Sequence, residues 1–234
     1  MGQIFSTDNI NFKEEPLLLG SGRNVSRLDL NIEQHIVKMT DNALAKMWFS
    51  HDFSYKADAE GYMKMPKALQ KMYLKNFKFQ TVMDSVASRT IAEVFSPITT
   101  NPMLEGWWTL HTFFESNIHS KTYADIIKAL PIDAVKEFDN IMINKDIISR
   151  AAVVYDVFNE AVEYNARYVL RSNPQCLVNY NEDTHKKHIV KSLYALVILE
   201  AIFFKSSFIT SFAFKENGLM TPSIDAISKI AVDK

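Results

Sequence analysis

Apolar positions return at intervals of three and four along most of the chain, the period of a helix with one buried face. From Asn31 to Trp48 they are Ile32, Ile36, Met39, Ala43 and Met47. A second stretch opens at Pro66, a residue well suited to a helix start, and runs through Leu69, Met72, Tyr73, Phe77, Val82 and Val86. A third covers Leu104 to Leu130, entered through Asn101-Pro102 and closed by Pro131. Ala134 to Met142 suits a short helix. Lys145 to Arg171 suits a long one, with Ile148, Ala151, Ala152, Tyr155, Phe158, Ala161 and Tyr164 on its inner face. Lys186 to Lys215 is apolar all round from Leu193 to Leu199, which marks a core helix. A last helix is predicted from Ile224 to Lys234. The polar run His51 to Lys64 reads as a loop, and residues 172–185 as a loop or small hairpin. Pro16, Gly20 and Gly22 punctuate an irregular start. The pattern predicts an all-α protein, with an N-terminal arm over 1–30 and a helical domain over 31–234.

Several ionisable side chains interrupt the apolar faces. Glu115, His119 and Tyr123 are spaced by four and four, so they share one face of the third helix, about 6 Å apart along its axis. Asp84 continues the stripe Tyr73, Phe77 and Gln80. Its plain alternative is a partly exposed Asp bonded to Arg89. Glu200 heads the stripe Phe204, Phe208, Phe212, and its plain alternative is a pairing with Lys or Arg. A buried carboxylate must be neutralised, protonated or bound to a cation. An oxygen-rich donor set with one imidazole suits iron or manganese better than structural zinc. Inward carboxylates joined to a Glu/His pair form the ligand set of ferritin-like dimetal bundles.

Composition narrows the field. The 234 residues are 47% apolar and 23% charged, with 6 Gly and 7 Pro, which favours long helices. A net charge of −1 gives no electrostatic reason to expect nucleic acid or an anionic membrane as partner. Glu200 and Lys205 break the most apolar run, which therefore reads as too short and interrupted to span a bilayer. The single Cys176 excludes an internal disulfide and points to the cytoplasm. Met1-Gly2 followed by Ser6 fits the short myristoylation pattern, and no polybasic segment follows it. No phosphate loop, zinc-type cysteine pair or nucleophile elbow is present.

Motifs carry a resemblance that runs nearly end to end. Residues 77–85 (FKFQTVMDS), 118–123 (IHSKTY) and 199–202 (LEAI), with Trp48 after a helix, resemble the small, radical-generating subunit of class I ribonucleotide reductase. The resemblance implies a ferritin-like helical bundle with Asp84, Glu115, His119 and Glu200 as metal ligands. It implies two iron ions, or manganese in their place, and oxygen as the oxidant. Tyr123 would carry the radical, Phe204, Phe208 and Ile230 would keep it dry, and Trp48 and Asp233 would relay it. The activity would be reduction of ribonucleotides to deoxyribonucleotides, with the substrate site on a separate large subunit and a homodimer of the completed small subunit.

Two departures stand out. The family places Glu three residues before the His; here Ser116 occupies that position and Glu115 lies four before. One inserted residue absorbed as a π-turn would keep Glu115 in place. Second, Lys234 stands where the family motif D-E-x-x-H has its Glu. The expectation is a C-terminally incomplete bundle with four of six ligands, inactive alone and completed by a separate fragment that supplies a Glu and a His. The alternative is a metal-free helical protein that serves only as a subunit-binding module.

Overall fold

The computed structural model describes residues 4–30 and 32–234. The Met1-Gly2 pattern and the first residue of the helix expected from Asn31 lie outside the described residues. Among those described, helices account for all the regular structure beyond an isolated bridge between Leu18 and Thr99. The helices are α1 (Gln34–Ala45), α2 (Lys56–Lys64), α3 (Lys67–Thr90), α4 (Pro102–Phe113), α5 (Ser120–Ala129), α6 (Ala134–Asp139), α7 (Lys145–Leu170), α8 (Glu182–Ile198), α9 (Phe204–Glu216) and α10 (Thr221–Asp233). Three π-helical turns join or extend them, at Ile91–Phe95, Phe114–His119 and Leu199–Phe203.

Most boundaries fall near those predicted. Two expectations are corrected. The stretch His51 to Lys64 is not all loop, because Lys56–Lys64 is helical. Its only buried residues are Asp58 and Tyr62, four apart, too few to show as a period in a polar segment. The run containing Leu193–Leu199 is also longer than expected. Glu182–Glu216 is one 35-residue helix whose most apolar window has mean hydropathy 1.7, enough by length and composition to cross a membrane. Core helices of soluble proteins pass the same test, and here 33% of that window is buried inside the structure.

The chain forms two compact units. The first comprises Met1–Met47, Ser88–Phe113 and Tyr155–Ala195. In it the arm lies along the connection before α4: Ile98 O accepts from the Leu19 amide at 2.8 Å, and the Thr100 hydroxyl donates to Pro16 O at 2.9 Å. Phe95 stacks on Trp108 with centroids 5.0 Å apart. The Asn165 amide donates to the carbonyls of Glu93 and Val94, both at 2.8 Å, within the first π-turn. Such a turn leaves carbonyls outside the regular ladder, and a buried carbonyl needs a donor.

The second unit comprises Trp48–Ala87, Phe114–Val154 and Leu196–Lys234. Its core includes Tyr73, Phe77, Tyr123, Phe204, Phe208, Ile227 and Ile230, none more than 1% exposed. α10 packs on α9 and α2. Pro222 occupies the first turn of α10, and the buried Asp58 carboxylate accepts from the Ser223 amide at 2.8 Å and from the Ser223 hydroxyl. A carboxylate from a neighbouring helix thus serves the orphan amides of the α10 N-terminus.

Candidate metal centre

Every residue singled out for chemistry lies in the second unit. Asp84 comes from the interior of α3, where it is fully buried rather than partly exposed beside Arg89. Glu115 and His119 come from the π-turn Phe114–His119, each 1% exposed. The widened turn decides which residue faces inward: Glu115 is buried, whereas Ser116 and Asn117 are exposed. Ligand atoms of Asp84, Glu115 and His119 all lie within 4.8 Å of one another. Glu200 comes from the π-turn Leu199–Phe203.

The cluster also contains a residue that the sequence reading treated only as a missing ligand. Lys234, the C-cap of α10, extends its side chain among the carboxylates with no exposed surface. Its Nζ lies 2.7 Å from Asp84 Oδ1 and 3.0 Å from Glu200 Oε2, and it also donates to Glu115 Oε2. The same ammonium sits 3.9 Å from the centroid of the Phe204 ring, a cation–π contact. The plain alternative for Glu200, pairing with a lysine, is therefore part of what the structure contains. The available signal was spacing: Lys234 extends the buried face Ile227, Ile230 by four residues.

Three carboxylates share one ammonium. Burial opposes the charge on Lys234, but Asp84, Glu115 and Glu200 outweigh it and raise its pKa above the usual lysine range. Burial pushes the Asp84 carboxyl well above the usual carboxylate range, with Lys234 acting against the shift and Glu115 adding to it.

His119 faces a carboxylate on both sides. Its Nε2 lies 3.0 Å from Asp233 Oδ2, and its Nδ1 lies 3.5 Å from Glu115 Oε1. Burial disfavours the imidazolium, yet Glu115 and then Asp233 outweigh it and push the pKa up to about 9. The buried Nδ1 has no hydrogen-bond partner among the described residues. A histidine whose outer nitrogen is taken by a carboxylate while the inner one faces acidic groups is oriented as metal-binding histidines are. The donor set Asp84, Glu115 and His119 therefore suits a divalent cation.

Asp233 also accepts from Trp48 Nε1 at 2.8 Å, so Trp48, Asp233 and His119 form one hydrogen-bonded chain. Trp48 further stacks on the His119 ring, centroids 6.3 Å apart. The Tyr123 side chain is fully buried and its hydroxyl has no hydrogen-bond partner among the described residues. Burial, and then the Asp84 carboxylate, raise this phenol well above its ordinary pKa. Phe77, the first residue of the 77–85 motif, packs edge-on against Tyr123 with centroids 6.1 Å apart. Phe204 and Phe208 stack at 5.7 Å, and Ile230 is fully buried.

The chain is similar to several known proteins. The chain is 30% identical over 237 residues to the ribonucleoside-diphosphate reductase subunit beta of Haemophilus influenzae, covering 98% of this chain and 62% of that protein. It is 27% identical over 233 residues to the same subunit of Enterobacteria phage T4, covering 93% and 59%. It thus spans about three-fifths of the length of these relatives. Among solved structures, the ribonucleotide reductase R2 subunit from Clostridium botulinum superposes with a TM-score of 0.80 at 19% identity, covering 99% of this chain and 67% of that one. The dimanganese(II)-NrdF of Streptococcus sanguinis superposes with a TM-score of 0.68 at 16% identity, covering 86% and 62%. Both likenesses establish an all-α bundle of the ferritin-like kind. The sequence pattern of the family "ribonucleotide reductase, small chain" matches residues 31–234, and the chain belongs to that family.

Proposed function

We propose that this chain provides the metal- and radical-bearing part of a ribonucleoside-diphosphate reductase small subunit. One observation carries the reading: three ligand-type side chains from two helices converge within 4.8 Å, in a unit that also buries Tyr123. Residues 31–234 are the working domain, with 1–30 as an arm. Asp84, Glu115, His119 and Glu200 would hold metal, iron or manganese, with oxygen as oxidant. Once loaded, such a centre supplies the one-electron oxidation that leaves a radical on a tyrosine.

The chain's own residues do the rest. Asp233 fixes the His119 ring by accepting at Nε2, which leaves Nδ1 for the metal. Trp48 and Asp233 form a polar path away from the site, suited to carrying an electron and a proton together towards a large subunit that binds the ribonucleotide. Phe77, Phe204, Phe208 and Ile230 exclude water from the core around Tyr123. A further polypeptide segment bringing a carboxylate and an imidazole would complete the ligand set, and the completed subunit would pair as a homodimer in the cytoplasm.

The test is electron paramagnetic resonance after ferrous iron and oxygen are added to the complete assembly. A tyrosyl signal is expected, and it should vanish in Tyr123→Phe; a signal that persists in that variant refutes the assignment. A second reading, a metal-free module that only binds a subunit, is favoured by the Lys234 ammonium among the carboxylates. Metal counted per chain after reconstitution separates the two.

A further inference from the structure

The most unusual group in the molecule is a lysine whose side chain has no exposed surface and whose ammonium touches three carboxylates. Burying an ammonium is unfavourable unless its partners are close and well placed. Here they are close: Asp84 at 2.7 Å, Glu200 at 3.0 Å, and Glu115. A lysine has three N–H donors, and three acidic side chains surround this one. The ring of Phe204 faces the ammonium as well, at 3.9 Å. The backbone fixes the approach, because the Lys234 amide, at the C-cap of α10, donates to Ile230 O at 3.0 Å. α10 is anchored at its other end by Asp58.

We propose that Lys234 is the resident cation of this site, and that its ammonium competes directly with divalent metal for Asp84, Glu115 and Glu200. This deepens the function proposed above and rests on its assignment of these residues as ligands. The ammonium brings positive charge into direct contact with three carboxylates in an apolar core, beside the imidazole of His119. A divalent ion would bring more positive charge to the same oxygens, but only after the lysine withdraws. On this view the chain folds and persists without metal, and loading depends on whatever draws α10 and Lys234 outwards. Removing the ammonium takes one cation away from the carboxylates and makes the site ask more strongly for metal.

The experiment compares the wild-type chain with Lys234→Met and Lys234→Gln, using Mn2+ alone as the probe. Free Mn2+ is followed by electron paramagnetic resonance, and thermal unfolding is recorded with and without the ion. Both variants should bind Mn2+ roughly tenfold or more tightly than wild type, since no ammonium must be displaced. Their melting temperatures should rise with added Mn2+ far more than that of wild type. Equal affinities in wild type and variants, including no uptake by any of them, overturn the competition. Amine labelling of the wild-type chain, read by mass spectrometry, needs no variant. Lys234 should be protected in the metal-free protein, and labelling as fast as that of the exposed Lys64 overturns its placement. The outcomes are distinct from those of the Tyr123 test. A tyrosyl radical alongside unchanged Mn2+ affinity defeats only the role of Lys234.

Discussion

At the scale of single residues, the centre was legible where an ionisable group interrupted an apolar face. Asp84, Glu115, His119 and Glu200 each stood out because charge is unfavourable there, and the structure buries the first three completely or nearly so. Lys234 was harder to see, since lysine near a helix end usually reaches solvent and only its register on the Ile227–Ile230 face argued otherwise. A second buried group, His185, was not singled out at all. Asn165 donates to two carbonyls through its nitrogen, so its oxygen must accept, and His185 Nε2 at 2.8 Å must carry the proton. The Tyr180 hydroxyl lies 3.2 Å from the other ring nitrogen. Burial, then neighbouring His188, push the pKa of His185 down to about 4, which keeps the imidazole neutral near pH 7. The sign follows: the unfolded chain takes up a proton below the ordinary value of 6.5, while the folded chain refuses it until about 4. This stabilisation is complete above that ordinary value and fades as pH falls towards 4. Urea unfolding at pH 7 and pH 5 should show wild type losing about 1–2 kcal/mol more than His185→Gln. An equal loss in both proteins would show that the histidine is not held neutral.

At the scale of elements, helical periods located most of the helices, because each long one buries a continuous stripe. α2 escaped notice because it buries only Asp58 and Tyr62. Only one of the three π-turns was foreseeable, at Phe114–His119, where the spacing of Glu115 and His119 differed by one from the pattern the chain resembles. The turns at Ile91–Phe95 and Leu199–Phe203 had no such offset to reveal them. α2 nevertheless matters to the centre, since Asp58 anchors the start of α10 and α10 delivers Asp233 and Lys234. Asp58→Ala removes an acceptor from both the amide and the hydroxyl of Ser223. It should lower stability by about 2 kcal/mol, equivalent to roughly 4–8 °C in melting temperature for a chain of this size. Differential scanning calorimetry measures this, and an unchanged melting temperature would mean that the α10 N-terminus does not depend on Asp58.

At the scale of the whole molecule, the all-α class followed from composition and period together. Which apolar side chains stay exposed did not follow from those two alone, because exposure depends on what packs where. The helix Glu182–Glu216 leaves Val190, Tyr194, Val197, Ile202 and Ile209 between 50% and 70% exposed. Their spacing of three to seven residues keeps them close to one side of that helix. Apolar residues gathered in this way favour association over solubility. The isolated chain should bind a hydrophobic fluorescent dye and sediment as more than a monomer. Tyr194→Ser with Val197→Ser should reduce both effects, and a dye-silent, monomeric wild-type chain would contradict the expectation.

The π-turn that bears Glu115 and His119 has one more consequence. A turn of this kind takes up one residue more than the α-turn it replaces, and the helix beyond it resumes without a break. Ser116 and Asn117, which fill the extra length, both point outwards. The surplus is therefore held where no buried contact depends on it. Heredity can then add or remove a single codon at this point and alter the separation of two ligands along the chain, while the rows of core side chains before and after it stay in step.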